Sequence, residues 1–283
     1  MYGLICTDDI GVVGHSLFNN FRLALYNYLG KENFKEIKSL DDLSEPTHLF
    51  IVDEHYAPNK AIWMNDAFIE SVNRQGVKVI VFNFEKIYNS AFPWNVDIQK
   101  NVERFENVFQ LVSDADDAAL LKKGLVNQQF LSKDTNLKTE PKLDKVNRIL
   151  FIGQLAGPQY ESRRDLLTRL NSDGFTIDVV ATNRRFSYGE FLSHINYYKY
   201  VLNPLGTGKF INLRYHEIIR LGGIPLQQIA PAMHKWCNFM KKNGIFFTDS
   251  VSLSAGFDTY TEPKVNEITL EDYFTVIGLK GYL

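Results

Sequence analysis

The chain has 283 residues with 31 Lys and Arg against 33 Asp and Glu, a formal net charge of −2. That length accommodates two domains of about 130–150 residues, each with its own core, and the near-neutral charge excludes a general attraction to nucleic acid or acidic membranes. Two cysteines, with no CxxC or Cys/His ligand spacing, indicate neither a disulfide framework nor a zinc site.

The opening MYGLICTDD lacks a basic n-region followed by a long apolar run. No stretch approaches the roughly 18–20 apolar residues of a membrane span, so a cytoplasmic protein is expected. The first half alternates strand-like and helix-like patterns. Strands are expected at 3–6, 48–52, 77–82 and 108–112, and helices at 16–29, 62–75 and 115–123.

In parallel sheets the loops after strand C-termini gather ligands. After the first strand, Thr7 to Ser16 supplies Asp8, Asp9 and His15, and after the second stands Asp53-Glu54-His55; Glu85 follows the third. Asp9, His15 and Asp53 are the leading candidates for a general base, since deprotonating a hydroxyl calls for a carboxylate or imidazole. Their plain reading is turn formers and surface residues. Gly11-x-x-Gly14 lacks the third glycine of a dinucleotide fingerprint, so NAD binding is not expected. Asp114-Ala115-Asp116 fits a helix cap better than a metal site.

Residues 131–147 are charged and contain a proline, and read as a linker. A second alternating run follows, with strands at 148–153, 176–180, 200–202, 224–226 and 245–247. Helices are expected at 161–172, 188–196, from 212 to 221, at 231–242 and at 270–283. Together the two runs imply an α/β protein with parallel sheets covered on both faces.

The segment 198–226, YKYVLNPLGTGKFINLRYHEIIRLGGIPL, carries the strongest functional signal. Asn203-Pro204 stops a buried strand, and Gly206-Thr207-Gly208 lets backbone approach a ligand closely. A helix then opens near Asn212, where unpaired N–H groups and the helix dipole favour an anion. Arg214 and Lys209 suit phosphate oxygens, and Glu217, three residues after Arg214, suits ribose hydroxyls. Gln154 follows the first strand of this half as a further donor-binding candidate, and Arg163 or Arg164 at the start of the next helix can meet the diphosphate from the side opposite Arg214. The plain alternative is that Arg214 and Glu217 form a solvated surface pair.

Gly206, Gly208, Arg214, Glu217, Gly222, Gly223 and Pro225 in this order resemble the GT-B glycosyltransferases, most closely the exostosin-like group, over about residues 146–250. The resemblance implies two Rossmann-like doubly wound domains with a cleft between them: an acceptor-side domain at 1–130, a linker at 131–147, a nucleotide-sugar domain at 148–269, and a terminal helix at 270–283 crossing back. It implies metal-independent transfer with inversion, from a nucleotide-diphosphate sugar such as a UDP-sugar to a hydroxyl of a glycan or glycoconjugate. No cofactor or metal is expected. The absence of an anchor departs from the secretory exostosin pattern and suits a bacterial or viral cytoplasmic enzyme. Hydroxylated bases of phage DNA form an alternative acceptor, and a non-catalytic nucleotide-binding α/β protein is an alternative of another class.

Overall fold

The computed structural model describes residues 1–6, 14–44, 46–52, 61–83, 87–88, 94–121, 124–126, 137, 139–182, 187–206, 208–209, 211–230, 233 and 243–261. The chain divides into two compact units, Met1–Asn127 with Ile268–Leu283, and Gln128–Glu267. Both are Rossmann-like α/β units built on a parallel sheet.

The first unit runs β1 (Tyr2–Cys6), α1 (Gly14–Leu29), β2 (Phe34–Glu36), β3 (His48–Val52), α2 (Asp66–Arg74), β4 (Lys78–Asn83), α3 (Trp94–Val102), β5 (Val108–Val112), α4 (Ala115–Leu120) and β6 (Gly124–Val126). Its sheet order is β2-β1-β3-β4-β5-β6, with every pairing parallel. Successive strand side chains point to opposite faces, and both faces are dry here. Leu49, Ile51, Val79 and Val81 pack with Phe68, Ile69 and Val72 of α2 and Ile98 and Val102 of α3. On the other face Phe82 meets Phe21 of α1 at a ring distance of 5.3 Å. Full burial of each such side chain contributes about 1.5–3 kcal/mol.

The second unit runs β7 (Val146–Gly153), α5 (Glu161–Ser172), β8 (Ile177–Ala181), α6 (Tyr188–Tyr197), β9 (Tyr198–Asn203), α7 (Leu213–Arg220), β10 (Ile224–Gln228), β11 (Ile245–Phe247) and α8 (Ser250–Thr259). The sheet order is β11-β10-β9-β7-β8, again all parallel. Phe151, Leu202 and Leu226 pack with Leu166 and Leu170 of α5 and Leu253 of α8. Leu150, Ile152 and Val201, of opposite parity, are equally buried, and α6 and α7 lie against β7, β9 and β10.

Several elements depart from the sequence expectations. The helix expected at 62–75 splits into a short 3₁₀ turn, Ile62–Met64, and α2, because the Asn65 side chain accepts from Ala67 N and starts a new helix. The helix expected at 115–123 ends at Leu120. Four elements had no expectation. β2 and β6 are three-residue edge strands, too short for a periodic signal. In α3 the inward face carries Gln99, which pairs with Gln110 of β5 in both directions at 2.8–2.9 Å; a polar residue there blurs the apolar stripe. Among the ten residues of α8 only Leu253 is buried, so its sequence is nearly featureless. The helices expected at 231–242 and 270–283 lie outside the described residues. No helix among the described residues is long and apolar enough to cross a membrane.

In both sheets the chain reverses direction of travel beside the first strand: between β1 and β3 in one, and between β7 and β9 in the other. At such a switch point the two outgoing loops part to opposite faces and leave a crevice beyond the strand ends.

Candidate functional site

β7 ends at Gly153 and β9 at Asn203. The loops that leave these ends lead into α5 and α7, so most of the second-half candidates collect beside the β7/β9 switch point. Asn203 is fully buried. Its amide nitrogen donates to Gln227 Oε1 of β10 at 2.7 Å and to Asn212 Oδ1 at 3.0 Å, while its own Oδ1 is buried with no hydrogen-bond partner among the described residues.

Asn212 stands at the N-cap of α7 in extended conformation, the position where an Asn side chain normally accepts from the first-turn N–H groups. It makes no such bond. Its oxygen is turned to Asn203 instead, so Asn212 does not cap the N-terminus of α7.

Arg163 reaches from α5 to both loops. Its guanidinium lies 4.7 Å over the Tyr160 ring, and it makes long contacts of 3.4 Å to the carbonyls of Leu205 and Gln154. Gly206 passes so close that an added Cβ would stand 3.4 Å from Arg163 Nη2. Arg164 acts within its own loop, donating to the carbonyls of Leu155 and Gly157 and so pinning the chain after β7. Gly157 itself has φ +99°, in the left-handed region that favours glycine.

Arg214 and Glu217 occupy the first turns of α7. The Arg214 guanidinium lies 5.2 Å over the ring of Phe191 from α6, and its Nε is buried without a hydrogen-bond partner among the described residues. Gly153 lies beside it: an added Cβ would stand in ordinary contact, 3.6 Å, with Arg214 Nη1 and more tightly, 3.2 Å, against the Phe151 ring. Burial, then the neighbouring Arg163 cation, push the Arg214 pKa down to about 10, with Glu217 acting in the opposite sense. Glu217 is 2% exposed, so the pair is not a solvated surface pair. Its Oε1 accepts the hydroxyl of Tyr188 at 2.6 Å. Burial raises the Glu217 pKa above the usual carboxylate range, and the Tyr188 hydrogen bond and Arg214 oppose it. Among the described residues no ion pair joins Arg214 to Glu217.

The other candidates are placed less closely or not at all. Gly208 is buried, while Lys209 and Gln154 are exposed. His15 lies in the first turn of α1; Asp9, Asp53, Glu85 and Thr207 fall outside the described residues. Asp114 caps α4, its Oδ1 accepting from Asp116 N at 2.8 Å and Asp117 N at 3.4 Å. Among the described residues no group of three His, Cys, Asp or Glu side chains is placed to hold a metal ion.

Sequence reasoning did not single out Tyr188, Phe191, Asn212 or Gln227 as site residues. One signal was available for the first: Ser187-x-x-Glu190 is a capping box, with Ser187 Oγ and Glu190 satisfying each other's backbone N–H groups. It fixes Tyr188 as the first residue of α6.

Chemically, the arrangement offers a helix N-terminus that its N-cap side chain does not occupy, two guanidinium groups and a buried carboxylate within one loop cluster. Such a set suits a ligand with an anionic part and a hydroxylated part. No model of a known protein family matches the chain, and no curated protein matches it.

Proposed function

We propose that the chain is a metal-independent glycosyltransferase of GT-B architecture that takes its sugar from a nucleoside diphosphate. The observation that carries this reading is the placement of Arg214 and buried Glu217 on α7, beside the switch point of a parallel sheet. A buried carboxylate with no ion-pair partner, beside a guanidinium whose Nε is buried without a hydrogen-bond partner among the described residues, is costly, and a ligand that supplies the missing partners explains why both are there. The resemblance of residues 198–226 to the exostosin-like group gives the same assignment.

In this reading the diphosphate lies at the N-terminus of α7 and accepts from Arg214 and Arg163, with Lys209 at the rim. Glu217 accepts from the ribose. The acceptor hydroxyl oxygen attacks the anomeric carbon, the bond from that carbon to the phosphate oxygen breaks, and the nucleoside diphosphate leaves with the electron pair. Inversion follows from a single displacement. The arginines and helix N-terminus stabilise the charge that grows on the leaving oxygen. The hydroxyl proton passes to a base, for which Asp9, His15 and Asp53 are the candidates. A glycan or glycoconjugate is the proposed acceptor.

A mass-spectrometric screen of nucleoside diphosphate sugars, with and without glycan acceptors, tests the reading. Release of nucleoside diphosphate with transfer of the sugar is expected. Transfer only to duplex DNA containing hydroxylated bases would move the acceptor to DNA, and binding without release of sugar would make the protein a nucleotide-binding module. Neither binding nor turnover with any donor would overturn the proposal.

A further inference from the structure

The first turn of α6 supports both polar residues of α7. Tyr188 and Phe191 stand three apart and share a helix face, with their rings stacked at 6.4 Å and 16°. Phe191 lies beneath the Arg214 guanidinium, and the Tyr188 hydroxyl meets Glu217. The capping box of Ser187 and Glu190 locks the backbone that carries this aromatic pair. Among the described residues the Glu217 carboxylate has one hydrogen-bond donor, Tyr188, and it engages only Oε1.

We propose that Tyr188 is a positioning residue: by holding Oε1 of Glu217 at 2.6 Å it turns Oε2 toward the ribose, so that the site selects ribonucleotides over 2′-deoxyribonucleotides. This rests on the reading of the site as a nucleoside diphosphate site. An ionised carboxylate only accepts hydrogen bonds, and a ribose hydroxyl is a donor of matching chemistry. The terminal torsion of a glutamate is broad. A short hydroxyl contact to one oxygen narrows it and leaves the other oxygen in a fixed direction. The same contact favours the ionised form against the burial that opposes it. The charged and titratable groups that bear on Glu217 are Tyr188 from α6 and Arg214 on its own helix, with Arg163 of α5 acting through Arg214.

The test is calorimetric titration of the full chain with UDP and with 2′-deoxyuridine diphosphate, for the parent and Tyr188→Phe, over roughly pH 5 to 8. The parent should prefer UDP by about tenfold or more, the range of one hydrogen bond to a charged group. Tyr188→Phe should reduce that preference to about twofold, and its UDP affinity should begin to fall at a higher pH than the parent's. A variant with parent-like preference and parent-like pH midpoint overturns the role of Tyr188. If Tyr188→Phe does not fold, the parent decides alone: its preference for UDP should shrink toward unity as the pH is lowered, and a preference that is absent or independent of pH overturns the proposal. Failure of the parent to bind either diphosphate instead overturns the nucleotide reading of the site.

Discussion

Burial opposes ionisation of Glu217 while Tyr188 and Arg214 favour it, and its titration should be visible in two opposite ways. Its folded-state pKa is raised, so its contribution to stability is fully present below the unfolded value and is lost as pH rises through the folded value. Ligand binding runs the other way, because only the anion accepts from a ribose hydroxyl. Glu217→Gln should therefore flatten the acid side of the profile of UDP affinity against pH, measured by calorimetry, and a profile unchanged by the substitution would remove Glu217 from the binding site. Arg214 is the complementary case. Its buried Nε has no partner among the described residues, so removing the side chain deletes an unsatisfied group as well as a cation. Arg214→Ala should weaken UDP binding by about 1.5–3 kcal/mol, the value of a charge-assisted contact, while the unfolding temperature stays near the parent's. Unaltered affinity would reduce Arg214 to a packing residue on Phe191.

At the scale of elements, α7 is a helix whose N-cap side chain bonds elsewhere. Asn212→Asp keeps an acceptor for the Asn203 amide and adds a negative charge at the helix N-terminus. The charge should stabilise the helix by about 0.3–1 kcal/mol and, if an anion occupies that terminus, weaken UDP binding by about tenfold at the same time. Denaturant unfolding and calorimetry measure the two effects. Higher stability with unchanged affinity would place the diphosphate elsewhere. α4 shows the ordinary arrangement: Asp114→Ala removes two bonds to first-turn N–H groups and should cost about 0.5–2 kcal/mol of stability. The strands β3, β5 and β11 lie where their apolar runs place them, because a largely buried parallel strand is written in contiguous apolar residues. The elements without a sequence signal are those stabilised from outside themselves. β2 is held by its register with β1 and by Phe34 against Tyr2, Tyr26 and Phe50, and α3 by an amide pair to a strand.

For the whole molecule, the proposed reaction assigns leaving-group charge to arginines and a helix terminus. Turnover should survive EDTA; complete loss, restored by manganese, would return Asp8, Asp9 or the Asp114–Asp116 pair to consideration as ligands. The base should separate binding from chemistry. At least one of Asp9→Asn, His15→Ala and Asp53→Asn should lower turnover by about 10²–10⁴ with donor affinity nearly unchanged. Parent-like rates in all three would move the search to Glu85 and Glu54.

The sequence by itself determined the α/β class, most strand and helix positions of the second unit, and the segment at 198–226 as the place to look. These are local properties: apolar runs, Gly and Pro punctuation, and the three-residue spacing of Arg214 and Glu217 are read within one or two turns of chain. Only the tertiary structure decided that Glu217 is buried, that Asn212 does not cap its helix, and that Arg163 spans two loops while Arg164 pins one. Each depends on a partner distant in sequence. Tyr188 meets Glu217 across 29 residues, Asn203 meets Gln227 across 24, and Arg163 meets Leu205 across 42. A side chain's periodicity says which face of its element it occupies, but the packing of the sheet and its helices settles whether water or another side chain waits there.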